Sequence, residues 1–323
     1  MKFLDVKELG GDYVASVAET ADPAPGPGEV LVHVTASGVN RADLSQIAGH
    51  YPPPPGESSI LGLEMSGTLE NGEPVCALVA GGAHAQLAAV PTGQIFAAPG
   101  SLDLVSAAGI PEAFLTAYLN LVGEAGLRPG ETLLVHAGAS GVGLAAIALG
   151  KFLGARVAAT TRTKEKLSAL TAAGADLAVD TAADDLVGEV ERQWGPGCVD
   201  VILDPVGAKT LDADLALLST GGRVVFIATL AGASATLDLR VLMGKRARVI
   251  GSMLRARPRP EKAALVQRFE REVLPAFDAG RLGVTVDSVH PPARAAEALT
   301  RMRENRNTGK ILIDWTRLEP VPR

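Results

Sequence analysis

Apolar runs of strand length alternate with helix-like stretches through the middle of this chain. The first run, residues 133–135, leads through small residues into a helical pattern over 142–153. Further strand-like runs follow, with helix-like stretches such as 164–173 between several of them: 155–160, 177–180, 199–204, 222–229 and 248–253. This alternation predicts an α/β fold, a doubly wound parallel sheet with its ligand crevice at the carboxyl ends of the strands.

The turn between the first strand and its helix carries a dinucleotide fingerprint. Gly138, Ser140 and Gly143 have its spacing, and Gly141 and Val142 complete a loop of small residues. The first glycine permits a tight turn, and the last permits close packing of helix and strand. Ser140 stands where glycine is usual, so a glycine-rich turn without a ligand is the alternative interpretation.

The end of the second strand favours NADPH over NADH. An NAD site usually has an acidic residue about twenty residues past the glycines, to bind the ribose hydroxyls. Here Arg162, Thr163 and Lys166 lie in that region, and no carboxylate precedes Glu165. Hydroxyls and cations suit a 2'-phosphate. The alternative is that these charges belong to the solvated start of a helix.

The flanking segments predict a second domain built from both chain ends. Residues 29–36 and 68–79 have short β patterns interrupted by Pro and Gly, typical of an irregular antiparallel barrel. After Pro258 we expect a helix over 261–279, a strand over 285–289, a helix over 293–303 and a strand over 311–314. The predicted division is 1–113 for the first part of this domain, 114–257 for the nucleotide domain and 258–323 for the returning part.

Composition and charge exclude several classes of protein. With a net charge of −6 and a pI near 5.5, general attraction to nucleic acid or an anionic membrane is not expected. No apolar run reaches membrane-spanning length, so we expect a cytoplasmic protein. One cationic run is assigned to a solvated edge or a subunit contact; its members are Lys245, Arg246, Arg248, Arg255, Arg257 and Arg259.

Cysteine and histidine positions give no metal site. Cys76 and Cys198 are far apart in sequence, and the five histidines lack ligand spacing. We therefore assign no residue to a metal.

Five segments in order along the chain resemble one known family. They are NRADLSQIAGHYPPPPG (40–56), ILGLEMSG (60–67), IPEAFLTAY (110–118), VHAGASGVG (135–143) and NTGKILI (307–313). Together they resemble the zinc-independent quinone oxidoreductases of the medium-chain dehydrogenase/reductase superfamily, above all the branch of the NADPH-dependent, tumour-suppressor-inducible enzyme of animals. The resemblance implies a GroES-like barrel, a Rossmann domain that binds NADPH, and a homodimer that pairs edge strands near residues 249–254.

The resemblance also identifies the positions at which zinc-dependent members of the superfamily have their metal ligands. Zinc-dependent members of the superfamily have a cysteine shortly after the first β segment and a His-Glu pair further on. This chain has Gly38, Asn40 and Arg41 in the first region and Leu63-Glu64 in the second. Without a Lewis acid, reduction of an activated acceptor is easier than dehydrogenation of an alcohol.

By resemblance, Tyr51 and Asn40 are the candidate catalytic residues. The Tyr51 hydroxyl would bind the acceptor oxygen or donate a proton, and the alternative is a tyrosine that only stiffens the Pro52–Pro55 loop. Asn40 would orient the substrate or the cofactor amide. Further cofactor contacts implied by the family are Thr116, Thr229, Leu230, Ser252, Leu254, Asn305 and Lys310.

These observations predict an NADPH-dependent, metal-free reductase that transfers hydride to a quinone or an α,β-unsaturated carbonyl. An enoyl-thioester reductase is the enzymatic alternative. A non-catalytic NADPH-binding sensor or structural protein is the alternative from another class.

Overall fold

The computed structural model describes residues 1–318. Its strands are β1 (Lys2–Leu9), β2 (Asp12–Glu19), β3 (Glu29–Val39), β4 (Glu64–Leu69), β5 (Pro74–Leu78), β6 (Leu87–Pro91), β7 (Ile95–Ala97), β8 (Thr132–Val135), β9 (Arg156–Thr161), β10 (Leu177–Asp180), β11 (Val199–Asp204), β12 (Leu218–Phe226), β13 (Arg248–Gly251), β14 (Val286–His290) and β15 (Lys310–Asp314).

The α-helices are α1 (Arg41–Ile47), α2 (Leu104–Ala107), α3 (Pro111–Tyr118), α4 (Gly141–Phe152), α5 (Leu167–Ala172), α6 (Leu186–Trp194), α7 (Leu211–Leu217), α8 (Leu239–Lys245), α9 (Arg259–Glu272), α10 (Leu274–Asp278) and α11 (Ala295–Arg303). A π-helical stretch, Leu119–Glu124, continues α3, and single 3-10 turns lie at Thr92–Gln94, Lys164–Lys166 and Pro292–Arg294. None of the helices in residues 1–318 is long and apolar enough to cross a bilayer.

The chain forms two compact units. The central unit is Thr116–Met253, and the outer unit is Met1–Leu115 together with the chain from Leu254 onward.

The central unit is a six-stranded parallel sheet in the order β10-β9-β8-β11-β12-β13. The first strand of the central unit, β8, lies in the middle of the sheet. The chain then runs outward through β9 to β10 and returns to β11 on the other side of β8. This order confirms the predicted doubly wound sheet. A topological switch lies between β8 and β11, and such a switch is where ligands bind in open α/β sheets.

Two of the predicted strand ranges, 177–180 and 199–204, coincide with β10 and β11. The predicted strand bounds 222–229 were wrong, because β12 spans Leu218–Phe226. Gly221 has a φ of 84°, and the pairing with β11 shifts register between Val199 and Val201. The glycine pair at 221–222 therefore lies in an irregularity within the strand and does not precede it.

The outer unit joins both chain ends in one sheet. Its strands lie in the order β14-β15-β3-β4-β5-β7, with β6 also paired to β3, and β1 and β2 form a separate hairpin. The returning strand β15 pairs antiparallel with β3, where Ile311 faces Val39. That pairing places the C-terminal strand beside a strand from the first part of the chain.

The predicted helix over 261–279 is two helices. α9 ends at Glu272 and α10 begins at Leu274, with Val273 between them at a φ of −120°. Pro275 lacks an N–H and its ring clashes with the carbonyl four residues earlier, so a continuous helix is excluded here.

Candidate functional site

The glycine loop of the central unit is shaped by backbone contacts. Ser140 is the N-cap of α4, and its Oγ accepts the Gly143 N–H at 3.0 Å. A Cβ on Gly143 would lie 2.5 Å from the Ala137 carbonyl oxygen and 2.6 Å from that of Gly138. The Gly138 N–H donates to the Thr160 carbonyl at 2.7 Å, which fixes the loop to the neighbouring strand.

This loop fits the pyrophosphate of a dinucleotide. It lies at the carboxyl end of β8, and α4 begins at Gly141 with no acidic residue in its first turn. The positive end of the helix dipole and the free N–H groups of this turn therefore meet no acidic side chain from the turn itself. Gly141 and Val142 supply N–H groups of that first turn, and the Ser140 hydroxyl keeps its proton for donation.

The residues predicted for a 2'-phosphate lie after β9 and are accessible. Arg162 is exposed, Thr163 is half-buried, and Lys166 closes the 3-10 turn by donating its N–H to the Thr163 carbonyl at 2.9 Å. Thr181 donates its hydroxyl to the Thr161 carbonyl at 3.2 Å. A short polar segment thus follows the second strand, and its first carboxylate is that of Glu165, which is exposed.

The ends of β12 and β13 carry three more predicted cofactor residues. Ser252 donates its N–H to the Phe226 carbonyl at 3.0 Å, and its Oγ is buried with no hydrogen-bond partner in the described chain. Leu230 is 53% exposed, and its N–H donates to the Pro205 carbonyl at 3.1 Å. Thr229 lies beside it, against Gly207. An unpaired buried hydroxyl costs free energy, and the predicted cofactor contact of Ser252 would supply its missing partner.

Thr116 lies where the central unit begins, within α3. It is 9% exposed, and its carbonyl accepts the Asn120 side-chain amide at 2.7 Å. The π-helical stretch begins three residues later. Such stretches are frequent at functional sites.

A buried cluster behind the glycine loop escaped the sequence analysis. His136 Nε2 lies 2.7 Å from Asp214 Oδ1, and His136 Nδ1 lies 3.1 Å from the Thr160 hydroxyl. His136, Asp204 and Asp214 each place one possible ligand atom within 4.8 Å of the others. Asp204 is bonded within the chain, because it accepts the Gly207 N–H at 3.1 Å and the Thr210 hydroxyl at 2.5 Å. The cluster ties the ends of β8, β9 and β11 to α7.

The outer unit contains a second polar cluster, centred on Glu64. This carboxylate is fully buried and is bonded by the Lys310 ammonium. It also accepts the Asn40 side-chain amide at 2.9 Å and the Glu112 backbone N–H at 2.8 Å. Lys310 donates further to Asn40 Oδ1 at 2.8 Å. Lys310, predicted only as a cofactor contact, thus holds the candidate catalytic residue Asn40 in place.

The donors of this cluster do not fit a zinc ion. Both Glu64 oxygens are engaged by cationic or N–H donors, and the Lys310 charge already balances the carboxylate. Gly38 provides the space, because a Cβ there would lie 2.2 Å from Glu64 Oε1. Cys76 is buried, and its Sγ donates to the Ala107 carbonyl at 3.5 Å.

Tyr51 is bonded to Arg255, a member of the cationic run that the sequence assigned to a solvated edge or a subunit contact. Arg255 is 4% exposed, and its guanidinium lies 5.0 Å from the centroid of the Tyr51 ring. It also donates to the Tyr51 carbonyl at 2.9 Å. Of the two predicted places for Arg255, the solvated edge is wrong because the side chain is buried, and the subunit contact stays a prediction.

Glu112 is a functional candidate that the sequence analysis missed. Burial, together with the nearby Glu64 charge, raises the pKa of the Glu112 carboxyl to about 8, against the opposing effect of Lys310. The group is therefore largely protonated at neutral pH. Its only signal in the sequence was its place in the IPEAFLTAY segment.

Two remaining predicted cofactor residues lie in the outer unit. Asn305 has a φ of 55° and accepts a hydrogen bond from the Arg41 guanidinium, which also donates to the Met302 carbonyl at 3.2 Å. Leu254 is 6% exposed and directly precedes Arg255. Their contacts with a cofactor stay predictions.

Comparisons with known proteins agree with both units. Residues 141–271 match the zinc-binding dehydrogenase family model, and residues 26–100 match the alcohol dehydrogenase GroES-like domain. A synaptic vesicle membrane protein VAT-1 homolog of Rattus norvegicus is 30% identical over 318 residues, 90% of this chain and 78% of that protein. A quinone oxidoreductase of Lama guanicoe is 29% identical over 312 residues, 92% of each chain.

Among solved structures, the quinone oxidoreductase of Thermus thermophilus, also determined in complex with NADPH, is 34% identical. The similarity covers 97% of this chain and 100% of that one, with a TM-score of 0.83. The GroES-like assignment of the outer unit is thereby confirmed.

Proposed function

Because this chain belongs to the medium-chain dehydrogenase/reductase superfamily, in its zinc-independent quinone oxidoreductase type, we propose that it is an NADPH-dependent reductase of quinones or α,β-unsaturated carbonyls. The observation that carries the proposal is the Glu64 cluster. The Lys310 ammonium balances this carboxylate, and by resemblance Glu64 lies in the region where zinc-dependent members have their His-Glu pair. The acceptor must therefore be one that takes hydride without a Lewis acid, and quinones and enones do so by delocalising charge onto oxygen.

NADPH is the proposed cofactor. The glycine loop and the amino end of α4 would bind its pyrophosphate, and Arg162, Thr163 and Lys166 would bind the 2'-phosphate. The solved Thermus relative was determined with this dinucleotide. When bound, NADPH supplies the hydride.

The chain's own residues would orient the acceptor and complete the proton transfer. The Asn40 side-chain amide donates to the Gly38 carbonyl at 3.1 Å and to Glu64 at 2.9 Å, and its Oδ1 accepts from Lys310 at 2.8 Å. The Oδ1 keeps one lone pair, with which it would orient the cofactor amide. The Tyr51 hydroxyl would bond the acceptor oxygen, where negative charge develops, and donate a proton to it. Burial raises the pKa of Tyr51, which keeps the hydroxyl protonated at neutral pH.

The test follows absorbance of NADPH, and separately of NADH, with a panel of ortho- and para-quinones and enones in the presence of a chelator. We expect oxidation of NADPH that the chelator does not slow. Turnover abolished by the chelator and restored by zinc would contradict the proposal. Tight NADPH binding without turnover on the panel would replace it with an enoyl-thioester reductase or a non-catalytic binding protein.

We also propose a homodimer formed through the central unit. β13 is an edge strand of the central sheet. Four apolar side chains in or next to α8 and β13 are 42% to 67% exposed: Leu239, Met243, Val249 and Met253. An uncovered edge strand with apolar neighbours favours pairing with a second copy. Light scattering should give twice the monomer mass for the native chain and a smaller mass for Val249→Asp. Leu9→Asp, at another exposed position, is the control.

A further inference from the structure

The strongest unassigned feature of the outer unit is the buried guanidinium of Arg255. Its three nitrogens donate to three different parts of the unit: Nε to the Ala80 carbonyl at 2.7 Å, Nη1 to the Tyr51 carbonyl at 2.9 Å and Nη2 to Gln46 Oε1 at 2.6 Å. Only a planar guanidinium offers donors in this fixed arrangement. The segment after Ser252 is thereby bound to the loop that carries Tyr51.

The same group acts on the Tyr51 ring. With the guanidinium carbon 5.0 Å from the ring centroid, the cation lies within the range of a cation–π contact. Arg255 therefore fixes the Tyr51 backbone and contacts its ring as well. A residue needed only to close the loop would require neither three separate acceptors nor contact with the ring.

We propose that Arg255 is the positioning residue for Tyr51, which it holds in the orientation from which the phenol delivers a proton to the reduced acceptor. The inference rests on the proposed function. In that step the Tyr51 O–H bond breaks, the proton goes to the acceptor anion formed by hydride transfer, and the electron pair stays on the phenolate. Solvent returns the proton to Tyr51.

Charges around Tyr51 support this role. Burial raises the pKa of Tyr51, Glu112 raises it further, and Arg255 lowers it. Burial lowers the pKa of Arg255, and the charges of Asp43, Glu112 and Glu57 oppose this effect. The buried Lys262 ammonium donates to the Arg255 backbone carbonyl at 3.2 Å. Arg255 thus lowers the Tyr51 pKa, whereas Glu112 raises it once its own carboxyl ionises, above about pH 8.

The experiment is a double-mutant cycle made of the native chain, Arg255→Gln, Tyr51→Phe and the double variant. Each is assayed for kcat and KM with NADPH and a quinone. Arg255→Gln should lower kcat by about 10-fold or more, with a smaller change in KM. In the Tyr51→Phe background the same substitution should have almost no further effect on kcat. Equal losses in both backgrounds would show a general structural role and overturn the proposal.

A second measurement does not depend on turnover. Phenolate absorbance is followed after a rapid pH jump, and the difference between each protein and its Tyr51→Phe counterpart isolates Tyr51 from the other two tyrosines. Arg255→Gln should raise the Tyr51 pKa by about one unit or more, and Glu112→Gln should lower it. An unchanged titration in both variants would contradict the proposal. If no quinone or enone is reduced, the proposed function fails while this titration still tests the contact.

Arg255→Lys and Arg257→Lys complete the set. Lysine at 255 keeps the charge but cannot make three directed hydrogen bonds, so the Tyr51 pKa should stay closer to native than in Arg255→Gln while kcat still falls. If Arg255→Gln does not fold, Arg255→Lys replaces it in the double-mutant cycle. Arg257 lies on the same segment and pairs with Glu261 at 3.3 Å. Arg257→Lys should leave kcat and the titration unchanged.

Discussion

His136 Nε2 lies 2.7 Å from Asp214 Oδ1 in the central unit, and both side chains are almost completely buried. Burial lowers the pKa of His136, but the Asp214 charge and hydrogen bond raise it by more, so its pKa is above the ordinary value. Burial raises the pKa of Asp214 to about 6.

Both shifts predict the same pH dependence of stability. A group with a raised folded-state pKa stabilises the fold fully below its unfolded pKa, and this contribution is lost as the pH rises through the folded pKa. The Asp214 contribution is therefore lost between about pH 4 and about pH 6, and the His136 contribution is lost as the pH rises above about 6.5. The thermal midpoint should fall over both ranges. Asp214→Asn removes the charge that favours imidazolium, so the fall should become smaller or reverse. An identical slope in both proteins would contradict this prediction.

The tight packing around Gly143 predicts that one added methyl group disturbs the glycine loop. Gly143→Ala places a Cβ 2.5 Å from the Ala137 carbonyl oxygen, and the loop must open to accommodate it. We expect NADPH binding, measured by fluorescence titration, to weaken at least about 10-fold, because the phosphate-binding N–H groups move. Gly244→Ala lies on α8 with nothing within 4 Å of its Cβ, and it should bind NADPH as the native chain does.

The cations after β9 predict a difference between two cofactors. Replacing Arg162 and Lys166 together by alanine should weaken NADPH binding by about 1 to 3 kcal/mol for each lost charged hydrogen bond and change NADH binding far less. Parallel titrations with both cofactors measure this. Lys164→Ala, between them in sequence and exposed, is the control. Equal losses for NADPH and NADH would remove the 2'-phosphate assignment.

The ion pair between Arg223 and Glu131 predicts a stability effect outside the glycine loop. The guanidinium donates to both carboxylate oxygens at 2.9 and 2.8 Å and to the Ala125 carbonyl at 2.8 Å. Arg223→Leu should lower the free energy of unfolding by about 2 to 4 kcal/mol, since it leaves a partly buried carboxylate and carbonyl unpaired. Urea unfolding measures this.

Arg192→Ala is the matched control for that prediction. Its ion pair with Glu189 lies on the surface, where Arg192 is 70% exposed. It should not change the unfolding midpoint measurably. A comparable loss of unfolding free energy in both variants would contradict the prediction that the buried Arg223–Glu131 pair stabilises the fold more than a surface pair does.

Local features of the chain predicted the central unit well. The apolar runs, the spacing of Gly138, Ser140 and Gly143, and the polar residues after the second strand are all short-range signals, and each corresponds to a strand, a turn or a strand end in the structure. The start of β12 before its glycine pair was not predicted, because a Gly-Gly pair has the same local signature in a turn and in an irregular strand.

Most of the outer unit's chemistry depends on residues distant in sequence. The sequence by itself determined the parallel sheet, the glycine loop and the absence of zinc-ligand spacing, because these follow from periodicity and residue type over a few positions. Only the tertiary structure decided that Lys310 bonds Glu64, 246 residues away, and that Arg255 lies against Tyr51, 204 residues away. Burial of a charge depends on which partner the fold brings to it, and no local pattern records that partner.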